Sequence, residues 1–86
     1  MAQAIDHELD TRGLHCPMPL LKAKLALNSM QTGEVIQVVA TDAGSWDDFE
    51  AFIRQSPHDL ISREQSGDEF IYCIRKGETE SGKGNR

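Results

Sequence analysis

The succession of apolar patterns along this chain predicts an α/β two-layer sandwich, β-α-β-α-β-β, with a mixed four-stranded sheet packed against two helices. Three observations carry that reading. Two strand-like runs each lead into a stretch with apolar residues at helical spacing. The run Glu34 to Ala40 (EVIQVVA) is β-branched and nearly continuous in apolar character, as a central strand is. The last two strand-like runs are separated only by Ser66-Gly67-Asp68, a hairpin signal. Each β-α-β step calls for a right-handed crossover between parallel strands, and the hairpin makes the final pair antiparallel.

Ile5 to Thr11 alternates loosely, with Ile5, His7 and Leu9 on one side, and reads as the first strand. Gly13 marks a turn. Pro17 and Pro19 suit a helix start, where the N–H groups have no intrahelical partner. Leu20, Ala23, Leu27 and Met30 recur at helical spacing, with Leu21 and Leu25 broadening the stripe. Gly33 is expected to cap that helix in a left-handed conformation. After the central strand, Asp42-Ala43-Gly44 forms a loop, and Ser45 with Asp48 resembles a capping box. Trp46, Phe49, Phe52 and Ile53 supply the buried face of the second helix, which Pro57 closes. Asp59 to Gln65 and Glu69 to Lys76 are the hairpin strands.

The chain has 86 residues, enough for one small domain, expected over residues 1–77, followed by a disordered polar, Gly-rich tail over 78–86. A core of that size leaves little room for a deep substrate pocket. Neither a membrane-spanning run nor a secretory leader is legible, so the chain is expected in the cytoplasm and away from membranes. Two cysteines, Cys16 and Cys73, make no disulfide framework. The net charge of −5 argues against direct nucleic-acid binding, which needs cations to displace counterions. The charge is uneven: Thr11 to Gly33 holds Arg12, Lys22 and Lys24 and no acid, whereas Asp42 to Glu50 holds four acids and no base.

Cys16, in the run Cys16-Pro17-Met18-Pro19, is the centre of the chemistry. Placed at the N-cap, it has Pro17, Met18 and Pro19 as the first three helical residues. Met18 then carries the donor left in that turn that could point at the sulfur, and two fixed proline φ angles stiffen the geometry. A donor and the positive helix end lower a thiol pKa, although the prolines remove part of the dipole. The expectation is a moderately reactive thiol. The alternative is an inert cysteine filling a gap. Cys16 has no Cys-x-x-Cys partner, and neither a base nor an oxyanion hole for acyl transfer can be named. A lone nucleophilic sulfur suits a carrier, which takes the outer sulfur of a donor persulfide and yields it to a second thiol.

Leu9-Asp10, Gly13, Cys16-Pro17, Pro19-Leu20, Lys22, the Gly67 turn and the ending Ile74-Arg75-Lys76-Gly77 resemble the TusA/SirA-like sulfur-carrier family. The resemblance runs from about Leu9 to Gly77, and its Leu-Asp-x-x-Gly-x-x-Cys-Pro-x-Pro spacing is far more specific than a lone cysteine. It implies the same β-α-β-α-β-β sandwich. It further implies a covalent persulfide on Cys16 with no other cofactor, a cysteine desulfurase as donor and a downstream acceptor protein. In known members the sulfur moves towards 2-thiouridine in tRNA, and others are tied to molybdenum-cofactor enzymes. Members dedicated to tRNA thiolation carry Asp-Asp-Pro and later Arg-Asp where this chain has Thr41-Asp42-Ala43 and Asp47-Asp48. The loop at Asp42 and the kept Asp48 lie where a partner could read the carrier.

Several residues have two readings. Asp10 and Gly13 shape the turn that presents Cys16, with Asp10 accepting loop N–H groups. Arg12, Lys22 and Lys24 either steer an acidic partner or the anionic persulfide, or form a solvated face. His15 either assists the thiol or is an exposed turn residue, and Cys73 is either an inert strand residue or a resolving thiol. Metal-ligand spacing is lacking. A monomer is expected. Two other functions compete with the carrier: a thiol redox protein, which needs Cys73 near Cys16, and a non-catalytic regulatory module that binds a protein through the acidic second helix.

Overall fold

A computed structural model describes residues 4–78; the expected tail lies, from residue 79 onward, outside the described residues. Six elements follow in the predicted order: β1 (His7–Thr11), α1 (Met18–Ser29), β2 (Val35–Ala40), α2 (Ser45–Arg54), β3 (Asp59–Ser66) and β4 (Glu69–Arg75). In space the strands run β1-β2-β4-β3. β1 and β2 are parallel, and β4 lies antiparallel to both β2 and β3. Parallel β1 and β2 end level, with Thr11 beside Ala40, so the loops leaving them emerge side by side.

One face of the sheet carries both helices. Ile36, Val38 and Ala40 of β2 and Phe70, Tyr72 and Ile74 of β4 alternate onto that face and meet Ala23, Leu27 and Met30 from the first helical segment and Phe49 from α2. Full burial of such side chains stabilises by about 1.5–3 kcal/mol each. The Phe49 and Tyr72 rings stack with centroids 4.2 Å apart. Burial pushes the Tyr72 phenol pKa up. Its hydroxyl is 2.7 Å from that of Ser45, which also donates to the Asp42 carbonyl at 2.7 Å.

The structure corrects several details of the elements. β1 starts at His7 rather than Ile5, because the Asp6 carboxylate takes the Val35 N–H at 2.9 Å and ends the ladder. Leu21 and Leu25 do not broaden the core stripe of α1; they are 44% and 69% exposed, since the core is filled from the Ala23–Leu27 side. Gly33 has the expected positive φ of 95°, but α1 has already ended at Ser29. Gly33 instead makes the turn closed by Glu34 N–H to Gln31 O. Ser45 and Asp48 form no capping box: Gly44 is the cap residue, and both side chains are engaged elsewhere.

The ending Ile74-Arg75-Lys76-Gly77 closes the sheet. Lys76 N–H donates to Glu34 O at 2.8 Å, and Gly33 N–H donates to Lys76 O at 2.9 Å. The buried Lys76 ammonium donates to the Leu27 carbonyl in the last turn of α1. Gly77 N–H donates to His58 Nδ1 at 3.0 Å.

Candidate functional site

The site forms where the two loops at the carboxyl ends of β1 and β2 meet. Thr11, fully buried, donates its hydroxyl to Val39 O at 2.7 Å and fastens the end of β1 to β2. Asp10 then organises the turn. Its carboxylate accepts the Arg12 backbone N–H at 3.0 Å and the Arg12 guanidinium at 2.9 and 3.0 Å. These bonds, the side-chain ones foremost, hold the Asp10 carboxyl down to about 2. Gly13 turns the chain at φ 85°, a conformation that costs an L side chain, and its N–H donates to Thr41 Oγ1 at 2.9 Å. That bond ties the first loop to the second.

The next turn differs from the sequence expectation. Met18 N–H does not approach the sulfur; it donates to the His15 carbonyl at 2.8 Å. The Cys16–Pro17 peptide bond is cis. Pro17 is the cap residue and Met18 the first helical one, so Cys16 precedes the N-cap instead of occupying it, and Pro19 is buried at the second helical position. The one N–H between the two prolines closes the turn itself and is not given to the thiol.

Exposed Cys16 faces α2. Its Sγ–H donates to Asp48 Oδ2, with sulfur and oxygen 2.6 Å apart. The thiol pKa is consequently raised, not lowered: first by the Asp48 hydrogen bond, then by desolvation, then by the charges of Asp48 and Asp42. The positive run and the acidic run of the sequence are thus folded against each other, and the thiol takes its electrostatics from the acids. Asp42 stands on the same side, its Oδ2 buried and without a partner among the described residues. Sequence pattern places Gly44 only in a loop. A Cβ there would lie 3.0 Å from Asp42 Oδ2 and 3.7 Å from the Cys16 Cβ, so its bareness lets the second loop pass close behind the thiol.

The remaining named residues are not brought to the sulfur. His15 is 91% exposed at its side chain and 3.8 Å from Asp42. Arg12 is spent on Asp10 and on Glu69 at 3.2 Å. Lys24 lies over the Phe52 ring at 5.2 Å, in a shallow groove between α1 and α2 that Asp48 also lines. Lys22 is exposed on α1. Met18, Leu21 and Leu25 expose apolar surface along the helix that begins at the thiol. Cys73 sits between Tyr72 and Ile74, whose side chains face the helices, so it points to the opposite face of the sheet, opposed by Gln37 and Ser62. It is half-buried and free. That separation removes the geometry a Cys16–Cys73 redox pair needs. Among the described residues no helix is long and apolar enough to cross a membrane.

Comparisons with known proteins agree with this architecture. The family profile described as Sulfurtransferase TusA matches residues 7–76. The sulfur carrier protein TusA of Allochromatium vinosum is 46% identical over 71 residues, spanning 83% of this chain and 93% of that one. The crystal structure of a SirA-like protein from Desulfitobacterium hafniense superposes with a TM-score of 0.64 at 23% identity, over 84% of this chain and 99% of that one, a likeness of fold.

Proposed function

We propose, from the premise that this chain belongs to the TusA family, that it is a sulfur carrier with Cys16 as the atom that bears the sulfur. The observation that carries the reading is the placement of an exposed thiol at the meeting of the two strand-end loops, in a turn that Asp10, Gly13 and Pro17 hold. Cys16 Sγ attacks the outer sulfur of a donor persulfide. The new S–S bond forms as the donor's own S–S bond breaks, the electron pair leaves on the donor thiolate, and the Cys16 proton ends there. The products are a donor thiol and Cys16 persulfide, so no further oxidant is involved. Attack of an acceptor thiol on the outer sulfur does the reverse.

A cysteine desulfurase is the donor of matching chemistry, and the acceptor is a second protein thiol serving tRNA 2-thiouridine or molybdenum-cofactor synthesis. The exposed Met18, Leu21 and Leu25 beside the thiol support contact with partner proteins. The covalent persulfide is the only group the reading requires, and the reducing cytoplasm is where such a free thiol persists.

The test is incubation with a cysteine desulfurase, its pyridoxal cofactor and cysteine, followed by intact and peptide mass spectra without reductant. One sulfur is expected on the Cys16 peptide of the native chain and of Cys73→Ser, and none on Cys16→Ser. A reactive Cys16 that takes up no sulfur from several desulfurases overturns the reading.

A further inference from the structure

We propose that Asp48 is a positioning residue that holds unloaded Cys16 as the thiol, so that the unloaded carrier presents little nucleophilic thiolate. This rests on the carrier reading for its purpose, but not for its geometry. Asp48 reaches from the first turn of α2 to the sulfur at 2.6 Å, and the bond runs from thiol to carboxylate. An acceptor-only carboxylate is satisfied by S–H and repelled by S−, so the contact favours the protonated form.

The groups around the sulfur reinforce the same state. From the loop between β2 and α2, Asp42 adds a second negative charge on that side. From the sulfur's own loop, His15 is turned to solvent beside Asp42. At the start of α1, Met18 N–H is used by His15 O, and Pro17 and Pro19 carry no N–H. From α1, Lys24 shares a groove with Asp48 but lies over the Phe52 ring at 5.2 Å, and none of the arginine or lysine ion pairs among the described residues reaches Asp42 or Asp48.

Loading is compatible with the lock. A donor persulfide supplies the electrophilic outer sulfur, and its departing thiolate ends as the donor thiol. The Cys16 thiolate forms the Sγ–S bond as the donor S–S bond breaks, the electron pair leaves on the donor thiolate, and the proton given up by Sγ goes to solvent, from which the donor thiolate is reprotonated. An alkylating agent draws on the same small thiolate fraction and so reports it. Asp48 therefore lowers the reactivity of unloaded Cys16 towards any electrophile.

The experiment measures alkylation of Cys16 by iodoacetamide as a function of pH, in a Cys73→Ser background, for Asp48, Asp48→Asn and Asp48→Glu. Asp48→Asn is expected to move the midpoint to lower pH by at least about one unit, which is roughly a tenfold faster reaction at a pH below both midpoints. Asp48→Glu, which keeps the charge, is expected to stay within about half a unit of the parent. Circular dichroism checks that each variant is folded. An Asp48→Asn profile that coincides with the parent or moves to higher pH overturns the proposal, and so does an Asp48→Glu profile that follows Asp48→Asn. Desulfurase loading of the same samples separates the two claims. Sulfur uptake with an unmoved profile refutes the lock alone, and a moved profile without sulfur uptake refutes carriage alone.

Discussion

Gly77→Ala is expected to cost roughly 2–4 kcal/mol of folding stability while leaving Cys16 chemistry untouched. A methyl group at residue 77 would overlap the Pro57 carbonyl oxygen, lie 2.5 Å from its carbonyl carbon and 3.1 Å from His58 N. These are backbone atoms, so no side chain can swing aside. The chain end cannot simply peel away, because Lys76 is fixed on both sides by Glu34 O and Gly33 N–H and its side chain is buried. Relief must come from separating residues 57 and 77, which lengthens the Gly77 N–H bond to His58 Nδ1. Losing one such bond costs about 1 kcal/mol, and forcing extra volume into a packed contact costs about 1–3 kcal/mol more. For a domain of this size each kcal/mol lowers the melting temperature by about 4–8 °C. The expected fall is therefore about 10–30 °C, read by circular dichroism with urea unfolding as a second measure. Gly77 follows β4 at the end where Arg75 pairs with Val35, whereas the thiol lies beyond Thr11 and Ala40 at the other end. Below the transition, the iodoacetamide profile of Cys16 should match that of the parent. A melting temperature within about 3 °C of the parent would refute the reasoning about close approach.

Three further outcomes follow from the packing. His58 is buried and accepts a bond at Nδ1, and burial holds its pKa below the ordinary 6.5. Its contribution is therefore complete above the unfolded value and is lost as pH falls through 6.5 towards the lower folded value; urea midpoints should drop across that window, and less so in His58→Gln. Tyr72→Phe should cost only about 1 kcal/mol, because Ser45 keeps the Asp42 carbonyl, while Phe49→Ala should cost about 3–5 kcal/mol in the same urea series. Leu25→Lys should change stability by no more than about 0.5 kcal/mol, and Leu27→Ala should cost about 2–5 kcal/mol, which distinguishes the exposed from the buried leucines of α1.

The fold was legible because its signals are local. Alternation, helical spacing and the Ser66-Gly67-Asp68 turn are properties of neighbouring residues, and they place all six elements in order. The placing of Cys16 just before a helix was legible for the same reason, since two prolines beside one cysteine are a local pattern. The misplaced boundaries were decided by competition from afar. Asp6 ends β1 by capturing a backbone N–H of β2, and Ser45 gives up capping to serve Asp42 and Tyr72. The breadth of the apolar stripe on α1 misled because a periodic pattern gives a direction, not the depth to which a neighbouring layer covers it.

By itself, the sequence determined the element order and the family motif, and it singled out Cys16. Only the tertiary structure decided the state of that residue. Along the chain, the Met18 N–H and the helix start that follow Cys16 predict a moderately reactive thiol. Its spatial neighbours are Asp42 and Asp48, which push the thiol the other way. The physical reason is that a pKa answers to charges and hydrogen bonds within a few ångströms, whatever their separation along the chain. The parallel pairing of β1 with β2 sets two loops, about thirty residues apart in sequence, side by side at the same edge of the sheet.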